Sequence, residues 1–141
     1  MTKKVLRGRK IVEGKVRGEA LVTSEPISFM GSIDPKTGYV IERGHEIEGQ
    51  RLEGKILVFP SSKGSTGGSY MLYDVVRNGV GPIDIVNIEA ESVVVIGAIV
   101  ADLPMVDSID ITKIKTGDLL ELNADEGTVE ILSGDKRQEA R

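Results

Sequence analysis

Residues 56–79 read ILVFPSSKGSTGGSYMLYDVVRNG, and eight of them, each Ser, Thr or Gly, lie in the short span that joins an apolar run to a helical pattern. The run KILVF, residues 55–59, is continuously apolar after Lys55 and is stopped by Pro60, which suits a strand covered on both faces. From Gly67 onward, Met71, Leu72, Val75 and Val76 recur at helical spacing opposite Tyr73, Asp74, Arg77 and Asn78, and Gly79 is placed to end the helix. The next apolar segment, IDIVNI at residues 83–88, reads as a second strand. A strand-helix-strand crossover makes its two strands parallel, so this stretch fixes an α/β fold with a helix covering one sheet face.

Outward from this unit the chain returns to strand patterns. Residues 11–22, IVEGKVRGEALV, alternate apolar and polar around Gly14 and Gly18 and read as a hairpin. Residues 24–49 are rich in Pro, Gly, Asp and Ser with short apolar pieces, which predicts a long structured loop of the kind that carries function. The segment VVVIGAIVADLP, residues 93–104, fits either a buried strand or a short buried helix, because periodicity does not separate the two. Residues 116–132 alternate around Asp125, Glu126 and Gly127 and predict a closing hairpin. The expectation is one domain over residues 1–132, with mixed strand directions, followed by a flexible charged tail at 133–141.

Composition narrows the function. The chain has 141 residues, 40% hydrophobic and 4% aromatic with no Trp, so Val, Ile and Leu must fill the core, which favours sheets. A net charge of -4 with both signs mixed offers no basic stripe for nucleic acid. The basic opening (Lys3, Lys4, Arg7, Arg9, Lys10) is interrupted by apolar residues and reads as a solvated strand face. No run approaches the roughly 20 apolar residues of a membrane span, and the N-terminus lacks a signal-peptide core, so the expected location is the cytoplasm, with no membrane partner. The absence of Cys excludes disulfides, a thiol nucleophile and an iron–sulfur cluster held by this chain's own thiolates.

The glycine-rich elbow has a chemistry of its own. Ser65 and Thr66 stand where a helix cap belongs, and the first helical turn leaves amide donors without partners. Gly64, Gly67 and Gly68 let a ligand approach the backbone, while Lys63 and the helix dipole add positive potential for a carboxylate, phosphate or oxyanion. The same field favours a serine alkoxide, so Ser65 is a candidate base or nucleophile, although Ser and Thr before helices also serve simply as caps. Neither a Walker pattern nor a G-x-G-x-x-G run is present. The sole histidine, His45, lies among Glu42, Glu46 and Glu48 and reads as a loop residue bonded to a neighbouring carboxylate. Glu25, Asp34, Asp74, Glu89 and Glu91 are candidate acids without a defined pairing.

Three segments in order, EPISFMGSIDPKTGYVI, GHEIEGQRLEGKILVFPSSKGSTGGSYMLYDVVRNGVGP and GAIVADLP, resemble the small subunit of the aconitase X family, in its archaeal phosphomevalonate dehydratase branch. The resemblance implies a swivelling β/β/α domain like the mobile domain of aconitase, docked on a large subunit that carries an iron–sulfur cluster of the 4Fe-4S type. It implies that Ser65, in KGST, is the base that removes a proton beside a carboxylate, while the cluster's open iron accepts the departing hydroxyl. Lys63, Gly64, Thr66 and Gly67 would bind the anionic groups of a small phosphorylated hydroxy acid, (R)-5-phosphomevalonate. The cluster would come from the partner, and this chain alone would be inactive. Alternatives remain: a dehydratase of hydroxyprolines on the same scaffold, a phosphocarrier module using His45, or a structural subunit without chemistry.

Overall fold

The computed structural model describes residues 4–64 and 66–133. The elements are β1 (Lys4–Arg7), β2 (Arg9–Val12), β3 (Lys15–Val22), β4 (Ile56–Phe59), α1 (Gly68–Arg77), β5 (Asp84–Asn87), α2 (Ser92–Ala101), β6 (Met105–Asp107), a 3₁₀ turn (Ile111–Lys113), β7 (Leu119–Asn123) and β8 (Thr128–Ser133). The charged tail expected at 133–141 lies outside the described residues, apart from Ser133 at the end of β8.

The eight strands run in the order β1-β8-β7-β3-β4-β5-β6-β2. β3 serves two sheets: Lys15 to Glu19 pair antiparallel with β7, and Ala20 to Val22 pair parallel with β4. β1 and β2 are separated only by Gly8 yet stand at opposite ends of the order, because the chain bends there from one sheet to the other. A side chain at Gly8 would collide with the carbonyl oxygen of Asp107, which is why glycine occupies the bend. The hairpin expected at 11–22 is therefore not formed. β2 pairs with β6, and β3 pairs with β4 and β7. Alternation identifies a strand but not its partner, and here the partners come from distant sequence.

Both crossovers are parallel as expected, β4 to β5 through α1 and β5 to β6 through α2. Their strands separate two cores. Leu57, Phe59, Ile85 and Met105 face the helix layer with Leu72, Val75, Val94 and Ala98. The alternate residues Ile56, Val58, Val86 and Val106 face the second sheet with Leu120, Leu122 and Val129. All four β4 residues are buried, so the unbroken apolar run is the signature of a strand covered twice.

α1 ends as its sequence predicts. Gly79 takes φ +78, its amide donates to Val76 O, and the Val80 amide donates to Val75 O, a pair of bonds that only a left-handed residue at this position allows. Residues 93–104 resolve to a helix over their first part, α2, followed by an Asp102 at φ 56. The two helices meet at Gly97, where a Cβ would lie 3.0 Å from Ser69 O. The outward residues of α2, Ile96, Ile99 and Val100, are exposed. The hairpin β7–β8 forms as expected, with its turn at residues 124–127.

Candidate functional site

β3, β4 and β5 are parallel, and their C-terminal ends share one edge, from which ligand sites of open α/β sheets are built. The elbow, residues 60–67, leaves this edge between two supports. On the β5 side, Asn87 Nδ2 donates to Phe59 O at 2.9 Å, and the amides of Ile88 and Glu89 both donate to Pro60 O. On the other side, Ile27 forms a parallel bridge with Ser62, its amide donating to Ser61 O and its carbonyl accepting from the Lys63 amide at 3.0 Å. Pro60 offers no N–H, so the strand ends there and the chain turns outward.

Glycine is required at one point of the elbow and lies against a flexible side chain at a second. Gly64 takes φ +98, and a Cβ on it would lie 2.5 Å from Ser28 Oγ. A Cβ on Gly67 would lie 2.9 Å from Met30 Cε and Sδ, so the 28–32 loop packs on bare backbone at both ends of the turn. Gly67 is the residue that caps α1, already helical at φ -60, and no side chain caps the helix. This corrects the expectation that Ser65 or Thr66 stands at the cap. Thr66 contributes instead through its carbonyl, which accepts from the Ser69 amide at 3.2 Å. No acidic residue sits in the first turn of α1, so its positive end is not offset by the helix's own side chains. Ser65 lies outside the described residues.

Lys63 does not stand alone. Its ammonium donates to Glu42 Oε2 at 2.9 Å, and Glu42 Oε1 accepts from Ser32 Oγ. The Ser32 hydroxyl and then the Lys63 ammonium hold the Glu42 carboxyl below the ordinary carboxylate range, against a smaller opposing effect of burial. The structure thus unites Lys63, Gly64, Thr66 and Gly67 in one turn and adds Ser28, Ser32, Glu42 and Asn87, which sequence reading did not select. Their contacts join segments far apart in the chain, and no spacing announces them.

The other sequence candidates lie elsewhere or have structural duties. His45 is buried: its Nε2 donates to Pro26 O at 3.0 Å and its Nδ1 accepts from the Ile47 amide at 3.2 Å. Its hydrogen-bond partners are thus backbone groups, correcting the expected carboxylate, with Glu25 Oε1 at 3.6 Å from Nδ1. With both ring nitrogens engaged, neither is left for a phosphoryl group, which removes the basis for a carrier. Glu25 accepts from the Glu46 amide, tying two segments of the loop together, and Asp34 accepts from the Lys36 amide, closing a turn. Glu89 and Glu91 precede α2, and Asp74 is exposed on α1.

A groove of about 410 Å³ lies beside the root of the elbow, walled by Val22, Pro60, Ile88 and Ile111 with Thr23 and Glu46. Its lining includes one carboxylate and no cation, so an anion is better matched to the elbow than to the groove. An iron–sulfur cluster does not fit this chain: it has no Cys, and among the described residues no group of three or more His, Cys, Asp or Glu is arranged to hold a metal. Among the described residues, no helix is long and apolar enough to cross a membrane.

Two sheets sharing β3, a helix layer over the parallel strands, and a glycine-rich turn at their C-terminal edge define a swivelling β/β/α domain of the aconitase type. The chain belongs to the aconitase X swivel domain family, whose sequence model matches residues 5–131. It is 52% identical over 129 residues to the phosphomevalonate dehydratase small subunit of Thermococcus gammatolerans, covering 92% of this chain and 98% of that one. The protein of the same name from Methanosarcina acetivorans is 45% identical over 130 residues, 90% of each chain. The crystal structure of Thermococcus kodakaraensis aconitase X in its holo form superposes with a TM-score of 0.91 at 50% identity, covering 92% of this chain and 99% of that chain.

Proposed function

We propose that this chain is the small subunit of a hydro-lyase that dehydrates (R)-5-phosphomevalonate to trans-anhydromevalonate 5-phosphate in isoprenoid synthesis by the mevalonate pathway, with Ser65 as proton acceptor. The observation that carries the reading is the near end-to-end match to small subunits named for this activity, at 52% identity over 92% of the chain. The elbow supports it chemically, being an anion-attracting helix start that no side chain caps.

Dehydration removes a proton from one carbon and hydroxide from its neighbour. The proton passes to Ser65, whose alkoxide is favoured by the positive end of α1. Lys63, together with Gly64, Thr66 and Gly67, holds a carboxylate or phosphate of the substrate, so the acidic C–H faces the base. Hydroxide leaves on the side of the large subunit, which carries the iron–sulfur cluster this chain does not fit. The assembly works in the cytoplasm and needs neither nucleic acid nor membrane.

Reconstitution with the large subunit tests this. Ser65→Ala should lower kcat by about 10²–10⁴-fold with assembly and cluster content unchanged. Near-native turnover would reject the base role, and turnover of a hydroxyproline in place of phosphomevalonate would reject the substrate.

A further inference from the structure

A chain of polar contacts leads from the elbow into the neighbouring loop, and the proposed reaction leaves most of it unexplained. From Lys63 it runs through Glu42 Oε2 at 2.9 Å and from Glu42 Oε1 to Ser32 Oγ. Ser32 is 1% exposed, and its Oγ also accepts from the Ser28 amide at 3.3 Å. Ser28 Oγ then returns to the elbow against Gly64. The loop that carries Glu42 does not need this side chain to keep its shape. Its backbone is already bonded, Ile41 to Ser32 at 2.7 Å, Val40 to Gln50 at 2.9 Å and Gly49 to Val40 at 2.9 Å.

An ion pair this open contributes little to stability, with the Lys63 side chain 45% exposed and that of Glu42 31%. What it does accomplish is orientation. Lys63 has a long, freely rotating stem, whereas the Glu42 carboxylate is fixed by a buried hydroxyl and so offers the ammonium one place to rest. The lysine directly precedes Gly64, whose φ of +98 shapes the elbow.

We propose that Glu42 is a positioning residue that acts through Lys63, holding its ammonium at the elbow where the anionic group of the substrate meets it. The proposal rests on the anion-binding reading of the elbow given above and adds to it the group that keeps the cation in place. Binding is improved because the lysine is ordered before the substrate arrives.

The test uses the reconstituted two-subunit complex with phosphomevalonate. Glu42→Ala should raise KM about tenfold with kcat within about twofold, because ground state and transition state lose the same contact. Glu42→Gln, whose single amide oxygen can still accept from Lys63 while its NH2 donates to Ser32 Oγ, should restore KM in part, to about three- to fivefold above the unmodified complex. In a Lys63→Met background Glu42→Ala should cost nothing further, since the two changes remove one shared interaction. A lower KM in Glu42→Ala would show that the carboxylate merely competes for the ammonium, and a full additional loss in the Lys63→Met background would show that it acts elsewhere; either overturns the proposal. Mobility of the Lys63 ammonium, read by NMR relaxation at its Nζ in the same complex, gives a reading independent of activity: it should rise clearly in Glu42→Ala and less in Glu42→Gln, and unchanged mobility would also overturn the proposal. A complex of the unmodified chain that leaves phosphomevalonate intact would sink the functional reading, while the mobility measurement would still decide the role of Glu42.

Discussion

Residues 60–67 lead from β4 into α1, and residues 88–91 lead from β5 into α2, so two turns leave adjacent parallel strands at the same edge of the sheet. The first is made of glycines and hydroxyl side chains with one lysine. The second places two glutamates, Glu89 and Glu91, within four residues, and Glu91 itself occupies the cap position of α2. Carboxylates at a helix start offset its partial positive charge, so the second turn answers its own helix. Neither helix has an acidic residue in its first turn or a side-chain hydrogen bond at its cap, so the difference lies in the cap residue: α1 begins at Gly67 and has no counterpart to the Glu91 carboxylate. Topology gives both turns the same opportunity, and the cap residues give their helix ends different charge.

The sharpest way to break this comparison is to remove the shape of the first turn. Gly64 combines φ +98 with a Cβ position 2.5 Å from Ser28 Oγ, so Gly64→Val must move the elbow, the 28–32 loop, or both. Turnover by the reconstituted complex should fall about 100-fold, the usual consequence of displacing reacting groups by an ångström. The corresponding change in the second turn, Glu89→Val, should leave turnover within about threefold, since the Glu89 side chain is exposed and valine keeps the backbone amide that donates to Pro60 O.

How much of this was legible in sequence follows from what each segment needs. α1 is amphipathic, with Leu72 and Val75 buried and Asp74 and Arg77 exposed, so its period alone identifies it. α2 contains no charged residue, and its apolar side chains extend to the exposed Ile96, Ile99 and Val100, so period says nothing and only the parallel pairing of β5 with β6 demands a helix between them. The elbow was legible as a turn from strand to helix, whereas its residue types fit a cap as well as a binding turn. The cap was misplaced by one or two residues because Gly67 is already helical. Ser28, Ser32 and Glu42 were invisible, since the loop folds them onto the elbow through tertiary contacts that local pattern does not encode. The strand partners of residues 11–22 failed for the same reason.

The opposite edge of the sheet separates stability from function. Asp84 begins β5, at the end of the strand away from the elbow, and is fully buried, with neither carboxyl oxygen hydrogen-bonded to another side chain among the described residues. Burial raises its pKa well above the ordinary 3.8. A raised carboxyl pKa means that the folded chain keeps a proton the unfolded chain releases, so stability is greatest at low pH and declines as pH rises from about 4 through the folded-state value. Asp84→Asn has no proton to release. It should raise stability at pH 7 by about 1–2 kcal/mol and flatten this decline, as measured by chemical denaturation across pH, with kcat unchanged.

Exchanging the charges of the two turns sharpens the comparison further. Thr66→Asp puts a carboxylate at the start of α1, as Glu91 does at α2. It should raise KM for phosphomevalonate about fivefold, because the helix end now has a resident anion and the substrate meets like charge. A KM that is unchanged or lower would show that the elbow does not bind anions through this helix end.

Glu91→Gln is the converse and has the smallest effect. Glu91 is exposed and makes no side-chain hydrogen bond to the helix it caps, so its contribution is electrostatic alone. Its removal should cost about 0.3–1 kcal/mol at low ionic strength, because the charge lies within the first turn where the helix field is strongest. In 1 M salt the screening length contracts to about 3 Å, and less than half of that cost should remain. A loss that persists undiminished in high salt would mean that Glu91 acts through packing or a direct hydrogen bond. Any difference in anion affinity between the two turns would then rest on backbone geometry, with charge having no part in it.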